Sequence, residues 1–286
     1  MGEEFAGDTM TKNETPSYII NPDYERRIEE FRLLDDTFLS TVFDNKPKLT
    51  ERMLRIILDR DDIEVLEVKA QYNIPNLLDH EITLDILAQD AEGKKFDVEV
   101  QRSSKGASPQ RARYHLALMD ARSLAKGRPY TELPENYVIF ITEEDTRHKN
   151  KPISYIDRYH DDGDKFSDGS HIVYVNGAYQ AEAGEETDLT KLIHDLRCTR
   201  PEDMQIEEIA SEVHYYKRTE GGHRIMCRIM EELAAEERAK GREEGAENTL
   251  ISSIKNLMES TKWTAEQAMN ALKVPADQRE KLASKL

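Results

Sequence analysis

Apolar side chains recur at every third or fourth position over residues 28–43 and again over 48–58, and this spacing predicts two amphipathic helices. Short runs rich in β-branched and aromatic residues follow, and they predict strands at 63–74, 81–88, 95–102, 136–142 and 171–176. A further helix is predicted over 109–127, because Pro109 suits a first helical turn and Gly127 ends the pattern. This alternation of helices and strands is typical of an α/β domain.

Beyond residue 186 the pattern is helical, with a charged stretch that contains two glycines over 239–247. Thr264 and Gln267 form a capping-box pattern, which predicts a helix start near the end of the chain. We therefore expect four segments, namely a polar N-terminal tail over 1–22, an α/β core over 23–185, a helical extension with its charged linker over 186–247, and a small helical tail over 248–286.

The composition excludes several classes of protein. The 286 residues carry a net charge of −17, and the hydrophobic fraction of 38% is enough for a packed core, so a disordered or collagen-like chain is excluded. Two cysteines provide no disulfide framework. The first residues lack the features of a secretory signal, and no apolar run approaches the ~18 residues that span a bilayer. We expect a cytoplasmic protein that does not engage a membrane.

The charge is unevenly distributed along the chain. Residues 94–128 contain nine Lys or Arg and only three Asp or Glu, which gives this segment a net charge of +6. A solvated helix face would account for such a segment, and so would a polyanionic partner such as DNA. The second interpretation predicts contacts with the phosphate backbone, and therefore an affinity for DNA that falls steeply with salt.

Two of the predicted strands, 81–88 and 95–102, form a hairpin that brings two acids together. A turn centred on Glu92 places Asp85 opposite Glu99, with Cβ atoms about 4.5–5.5 Å apart. The pleat puts Gln101 on the same face as Glu99.

Two opposed carboxylates repel each other, and a shared proton, a nearby cation or a divalent metal ion can offset the repulsion. An exposed sheet face with ordinary acids is the alternative interpretation. The hairpin is therefore a candidate metal site that needs a second line of argument.

The pattern Asp85, then Glu99-Val100-Gln101 after a glycine-containing turn, resembles the signature of the PD-(D/E)XK nucleases. In particular, the Glu-x-Gln form is similar to that of the PD-(D/E)XK nuclease family transposases, also called recombination-promoting nucleases. Further similar stretches are Asp35–Phe43, Arg111–His115, Tyr137–Asp145 and Asp168–Gly177. The resemblance covers roughly residues 30–270.

The resemblance implies an α/β fold with a restriction-endonuclease-like core, in which a mixed sheet is flanked by helices, together with a helical C-terminal region. It implies metal-dependent cleavage of DNA, associated with recombination or mobile elements. Asp85 and Glu99 would hold Mg²⁺, with Mn²⁺ as a substitute, and Gln101 would complete the catalytic set. Gln101 stands where the superfamily usually has lysine, so activity is expected either to be slow or to depend on a basic residue from elsewhere, for which Lys95 and Arg111 are the candidates.

Three further residues are candidates of second rank. Arg111 and Tyr114 share a face of the helix that follows the acidic strand, so we expect Arg111 to contact phosphate and Tyr114 to orient a group in the site. A surface arginine beside a half-buried tyrosine is the alternative. Asp35 lies on the apolar stripe of the first predicted helix and is expected to point inward, whereas Asp36 is expected to point away. Capping of a helix is the alternative for Asp35.

Two rival functions remain open on the sequence alone. The first is a nuclease-fold module that binds DNA or a protein without cutting, since glutamine replaces lysine and the chain is acidic. The second is a helical interaction protein dominated by the region after residue 186. Double-strand cleavage would favour a homodimer.

The histidines and cysteines at 194, 198, 223 and 227 would form a zinc site only if all four converged, and His115 is expected to be a packing or surface residue.

Overall fold

The computed structural model describes residues 21–74 and 82–286. These residues form two compact units that divide between Arg224 and Ile225. In the first unit the helices are α1 (Pro22–Glu30), α2 (Asp36–Phe43), α3 (Pro47–Leu58), α4 (Pro109–Ser123), α5 (Asp188–Arg197) and α6 (Glu207–Arg218). Its strands are β1 (Val65–Ile74), β2 (Ile82–Asp90), β3 (Lys95–Gln101), β4 (Asn136–Thr142), β5 (Ile153–Ile156) and β6 (Ser170–Asn176). The tail predicted over 1–22 lies almost wholly outside the described residues.

The strands form one six-stranded sheet in the order β1-β2-β3-β4-β6-β5. β1, β2 and β3 are antiparallel neighbours, β3, β4 and β6 run parallel, and β5 returns antiparallel to β6. The mixed sheet and its flanking helices confirm the restriction-endonuclease-like α/β fold. Edge strand β5 was not expected, because its four residues are too few for a clear alternating pattern.

The helix predicted over 28–43 is wrong in its middle. α1 ends at Glu30 and α2 starts at Asp36, and a turn separates them. Asp35 explains the break, since its Oδ2 accepts a hydrogen bond of 2.8 Å from the backbone N–H of Arg32. A side chain that bonds to nearby backbone competes with helical hydrogen bonding. The apolar spacing alone did not reveal this competition.

The sheet has a different helix layer on each face. Val138 and Phe140 of β4 pack in one cluster with Ala112, Leu116 and Met119 of α4. α2 and α3 pack on the antiparallel part of the sheet. In the register of β3 with β4, Asp97 lies beside Val138 and Glu99 beside Phe140, so both acids belong to the face that α4 covers.

The second unit is helical. α7 (Glu220–Thr261) begins in the first unit and continues through both glycines of the 239–247 stretch, and it is followed by α8 (Ala265–Ala271) and α9 (Ala276–Ala283). The predicted capping box is confirmed, because Thr264 Oγ1 accepts from the N–H of Gln267 and Gln267 Oε1 accepts from the N–H of Thr264. Within the described ranges, no helix combines the length and apolar character that crossing a bilayer requires.

Candidate active site where β2 and β3 separate

Hairpin β2–β3 has the register that the sequence predicts. Paired residues run from Gln89 with Lys95 to Ile86 with Val98, and there the ladder ends. Beyond this point, backbone N–H groups donate to carboxylate side chains instead of to the backbone of the other strand. The N–H of Asp85 donates to Glu99 Oε1 at 3.0 Å, and the N–H of Val100 donates to Asp85 Oδ2 at 3.0 Å. The two acids therefore face each other at the point where the strands separate.

Hydrogen bonds that involve α2 and β1 also position Asp85. Its carbonyl accepts a hydrogen bond of 3.3 Å from Ser40 Oγ on α2, and Ser40 Oγ accepts one of 2.8 Å from Gln71 Nε2. Gln71 has a φ of +48°, a conformation that costs energy for any residue but glycine. The sequence gave no reason to select Gln71, because no pattern marks a left-handed backbone within a strand.

A third acid, Asp97, completes the cluster and was also missed. It is fully buried, and its Oδ2 lies 2.8 Å from Nδ1 of His115, which is buried as well. Its other oxygen, Oδ1, is buried without a hydrogen-bond partner among the residues that the structure describes. The possible ligand atoms of Asp97, Glu99 and His115 all lie within 4.8 Å of one another. His115 is thus part of the acid cluster as well as of the core.

Arg111 brings positive charge to these acids. Its Nη2 donates to Glu99 Oε2 at 2.8 Å, its Nη1 donates to the carbonyl of Gly106 at 3.3 Å, and its Nε donates to His115 Nε2 at 3.2 Å. The side chain is 37% exposed, whereas that of Glu99 is fully buried. The start of α4 therefore lies beside the acids, as its position directly after β3 led us to expect.

Burial dominates the electrostatics of the cluster. Removal from water raises the pKa of Asp85, of Asp97 and of Glu99, and mutual repulsion among the carboxylates adds to the rise. Hydrogen bonds from Val100 and Gln71 offset part of the rise in the pKa of Asp85. Three buried acids beside one arginine retain protons readily unless another cation is present.

The cluster fits a hard divalent cation. Mg²⁺ and Mn²⁺ prefer carboxylate oxygens, and Asp97 Oδ1 is a buried acceptor with no donor among the described residues. His115 is a poor ligand here, because Nδ1 contacts Asp97 and Nε2 contacts Arg111. The possible ligand atoms that lie within 4.8 Å of one another belong to Asp97, Glu99 and His115, and Glu99 also accepts a hydrogen bond from the N–H of Asp85.

Gln101 ends β3 and rests against the turn at Gly106. A Cβ atom on Gly106 would lie 1.9 Å from Gln101 Oε1 and 3.0 Å from Gln101 Cδ. Glycine is thus needed at residue 106 for the observed position of this amide. Lys95, at the opposite end of β3, donates to Ser123 Oγ at 2.8 Å, which leaves Arg111 as the better source of the missing charge.

Replacing Gly106 by alanine should displace the Gln101 side chain and leave the fold intact, since the clash involves the end of a flexible side chain. We expect DNA cleavage to slow about tenfold with an unchanged melting temperature. A Gly184→Ala variant is no suitable control because Gly184 has a φ of +90°. Gly241→Ala, where nothing lies within 4 Å, is the matched control. Wild-type cleavage by Gly106→Ala would show that the position of Gln101 is unimportant.

Asp35 is mostly buried, with 15% of its side chain exposed, and Asp36 is exposed. Asp35 accepts a hydrogen bond from the N–H of Arg32 and forms an ion pair of 3.3 Å with Arg102, in a network that includes Glu143. It occupies the N-cap position of α2, where its side chain makes no capping hydrogen bond to that helix. Asp36, expected to point away, lies close enough for its charge to raise the pKa of Asp85.

Arg111 and Tyr114 line one side of an open cavity of 900 Å³, together with Arg113 of the same helix and Thr83 of β2. His115, which contacts Asp97, belongs to the same lining.

Part of the positive charge of residues 94–128 is neutralised within the fold. Four of its basic residues form ion pairs, namely Lys94 with Glu92, Arg102 with Asp35 and Glu143, Arg111 with Glu99, and Arg128 with Glu132. Exposed ion pairs contribute little to stability, but they reduce the charge available to a phosphate backbone. The surface is therefore less basic than the sequence indicates, and its salt dependence should be weaker.

The possible zinc site does not assemble from all four residues. Among the described residues, His194, Cys198 and the neighbouring Asp195 form one group of possible ligands, without His223 or Cys227. Asp195 accepts hydrogen bonds of 2.8 Å from the N–H groups of Gln205 and Ile206, so it serves the start of α6.

Comparison with models of protein families matches residues 38–240 to a family described as PD-(D/E)XK nuclease family transposase. The matched span contains the acid cluster and the whole of α4. No curated protein and no solved structure gave a match.

Proposed function

The chain belongs to the PD-(D/E)XK nuclease family transposases, and from this premise we propose that it is a metal-dependent DNA endonuclease associated with recombination or mobile elements. DNA is the proposed substrate, Mg²⁺ the proposed cofactor with Mn²⁺ as a substitute, and hydrolysis of phosphodiester bonds the proposed reaction. A cytoplasmic location and a homodimer for double-strand cleavage are further expectations of this proposal.

One observation supports the proposal above the others. Asp85 and Glu99 meet where β2 and β3 separate, and each accepts the backbone N–H that the other strand would normally use in pairing. Burying opposed carboxylates in place of backbone pairing lowers the stability of a sheet. A bound cation offsets this cost, and a purely structural sheet has no need of it.

The residues have separate roles in the proposed reaction. Asp85 and Glu99 would hold Mg²⁺, which when bound polarises a phosphoryl oxygen and lowers the pKa of the attacking water. Gln101 orients that water or a phosphate oxygen through its amide. Arg111 donates to Glu99 and places positive charge where a phosphate approaches, and Tyr114, which lines a cavity together with Arg111, orients a group in the site.

Conversion of supercoiled plasmid to nicked or linear DNA tests the proposal. We expect conversion with Mg²⁺ or Mn²⁺, none with EDTA, and none by an Asp85→Asn variant in any of these conditions. Glu67→Gln is the matched control, since Glu67 is a half-exposed acid on the neighbouring strand β1. Cleavage that survives both EDTA and Asp85→Asn would contradict the proposed site.

A second candidate function is a nuclease-fold module that binds DNA or a protein without cutting. Gln101 in place of lysine favours it, as do the internal ion pairs of the basic segment. It predicts that folded wild-type protein retains DNA and converts no plasmid with any divalent cation. The same experiment therefore decides between the two functions.

A further inference from the structure

Four side chains, Glu99 among them, form a closed ring of contacts. Arg111 donates from Nη2 to Glu99 Oε2 at 2.8 Å and from Nε to His115 Nε2 at 3.2 Å. His115 Nδ1 lies 2.8 Å from Asp97 Oδ2, and Asp97 lies next to Glu99 on the same face of β3. Every side chain of the ring thus touches the next one.

The protonation of His115 follows from its neighbours. A guanidinium group only donates hydrogen bonds, so His115 Nε2 must accept from Arg111. The imidazole of His115 is then neutral, and its proton is on Nδ1. This N–H donates to Asp97 Oδ2. Burial lowers the pKa of His115, which agrees with a neutral ring. Asp97 therefore selects the tautomer that Arg111 requires.

The ring of contacts also fixes where the guanidinium lies. The His115 ring is 1% exposed and its centroid lies 6.0 Å from that of Phe140, and Arg111 Cζ lies 5.9 Å from the same phenyl ring. A free arginine side chain has many rotamers, and restricting them costs conformational free energy. His115 and Phe140 hold Arg111 from behind, so that its Nη2 is directed at Glu99.

We propose that Asp97 and His115 are positioning residues that hold Arg111 beside Glu99, where its charge replaces that of the lysine absent from position 101. This inference rests on the proposed nuclease function. Arginine stays protonated at any pH of interest, so Arg111 stabilises charge that develops on the phosphate and does not act as a base. In this positioning role Asp97 and His115 act through Arg111 and do not themselves contact the phosphate.

Single-turnover cleavage of plasmid by the full-length protein tests the pair. We expect Arg111→Ala to slow cleavage about 100-fold. His115→Phe, which keeps a ring but loses both nitrogens, should slow it about 10- to 100-fold. His115→Gln should lie between His115→Phe and wild type, because its amide oxygen can still accept from Arg111. His171→Phe is the matched control, since His171 stacks on Tyr137 away from the acids.

Rescue by free guanidinium separates positioning from a general structural role. Added guanidinium should restore part of the activity of Arg111→Ala, because Glu99 Oε2 and His115 Nε2 still offer acceptors to it. The double variant Arg111→Ala/His115→Phe lacks one acceptor and should not be restored. Equal rescue of the single and double variants would overturn the proposal, and so would wild-type cleavage by a folded His115→Phe protein.

Nitrogen-15 spectra of the histidine rings give a result that does not depend on cleavage. We expect His115, assigned by its loss in His115→Gln, to carry its proton on Nδ1. A proton on Nε2 would overturn the positioning role even if the protein cuts DNA. If the spectra agree but wild-type protein cuts no DNA, the proposed function fails, and the positioning role is overturned with it because the ring of contacts is then only structural.

Discussion

Glu99→Gln should abolish DNA cleavage and at the same time make the metal-free protein more stable. Cleavage should fall about 1000-fold, because a neutral amide holds Mg²⁺ poorly. Stability should rise by about 1–2 kcal/mol, since the substitution removes a fully buried charge that repels Asp85 and Asp97. The amide oxygen of glutamine can still accept from the N–H of Asp85.

The stability gain should depend on pH in a defined direction. Burial raises the pKa of Glu99 above its value of 4.5 in the unfolded chain. Below pH 4.5 the carboxyl group is protonated in both the folded and the unfolded state, so it does not lower the stability of the folded protein. As pH rises toward the folded-state pKa, the unfolded state ionises first and the folded wild type loses stability relative to Glu99→Gln. The difference in melting temperature between variant and wild type should therefore grow from pH 5 to pH 8.

Thermal melts with and without Mg²⁺ complete this test. Metal binding to the folded state should raise the melting temperature of wild type at pH 8 and leave that of Glu99→Gln unchanged. Glu67→Gln, a half-exposed carboxylate in β1, is the matched control and should behave as wild type in every condition. If Glu99→Gln instead melts at a lower temperature than wild type, the acid cluster stabilises the fold and is not a cation site.

Lys217→Met should destabilise the first unit by about 3 kcal/mol without touching the acid cluster. Lys217 is 3% exposed, and its Nζ donates to the carbonyls of Glu29, Phe31 and Thr199 at 2.9, 2.6 and 2.6 Å. Glu29 and Phe31 lie at the end of α1, where helix carbonyls lack partners. Methionine fills a similar volume, so the loss reports mainly the three hydrogen bonds.

Urea unfolding measures this loss as a lower midpoint with an unchanged slope. Lys48→Met is the matched control, because Lys48 is 78% exposed and its ion pair with Glu51 should contribute less than about 1 kcal/mol. Burial lowers the pKa of Lys217 to about 8, so its charge carries a desolvation cost. A Lys217→Met protein as stable as wild type would show that this cost cancels the three hydrogen bonds.

Local patterns in the sequence were sufficient for the hairpin and its acids. Turn length and alternation fixed the pairing of β2 with β3, and this register by itself brings Asp85 opposite Glu99. The same reasoning placed Arg111 near the acids, because α4 starts directly after β3. Helical spacing did not determine the surroundings of Asp35, whose contacts with Arg102 and with Arg32, the partner of Glu143, join segments distant in the chain.

Asp97, His115 and Gln71 could not have been selected from the sequence. Asp97 and His115 are 18 positions apart, and their contact exists because α4 packs on the parallel strands. Gln71 matters because its backbone is left-handed, and no glycine marks that position. Charge counting over 94–128 overstated the free positive charge for a similar reason, since Lys94, Arg102 and Arg128 form ion pairs with acids outside the segment.

Apart from β5 and the break between α1 and α2, the sequence by itself determined the order of helices and strands, the hairpin register and the family. Periodicity, turn chemistry and motif spacing are all properties of neighbouring residues. Only the tertiary structure decided which charges are buried together. Burial raises the pKa of Asp85, Asp97 and Glu99. The same packing brings Arg111 Nε within hydrogen-bond distance of His115 Nε2. The electrostatics of the site depend on the removal of water by α4 and the sheet, and that removal follows from packing between segments distant in the chain.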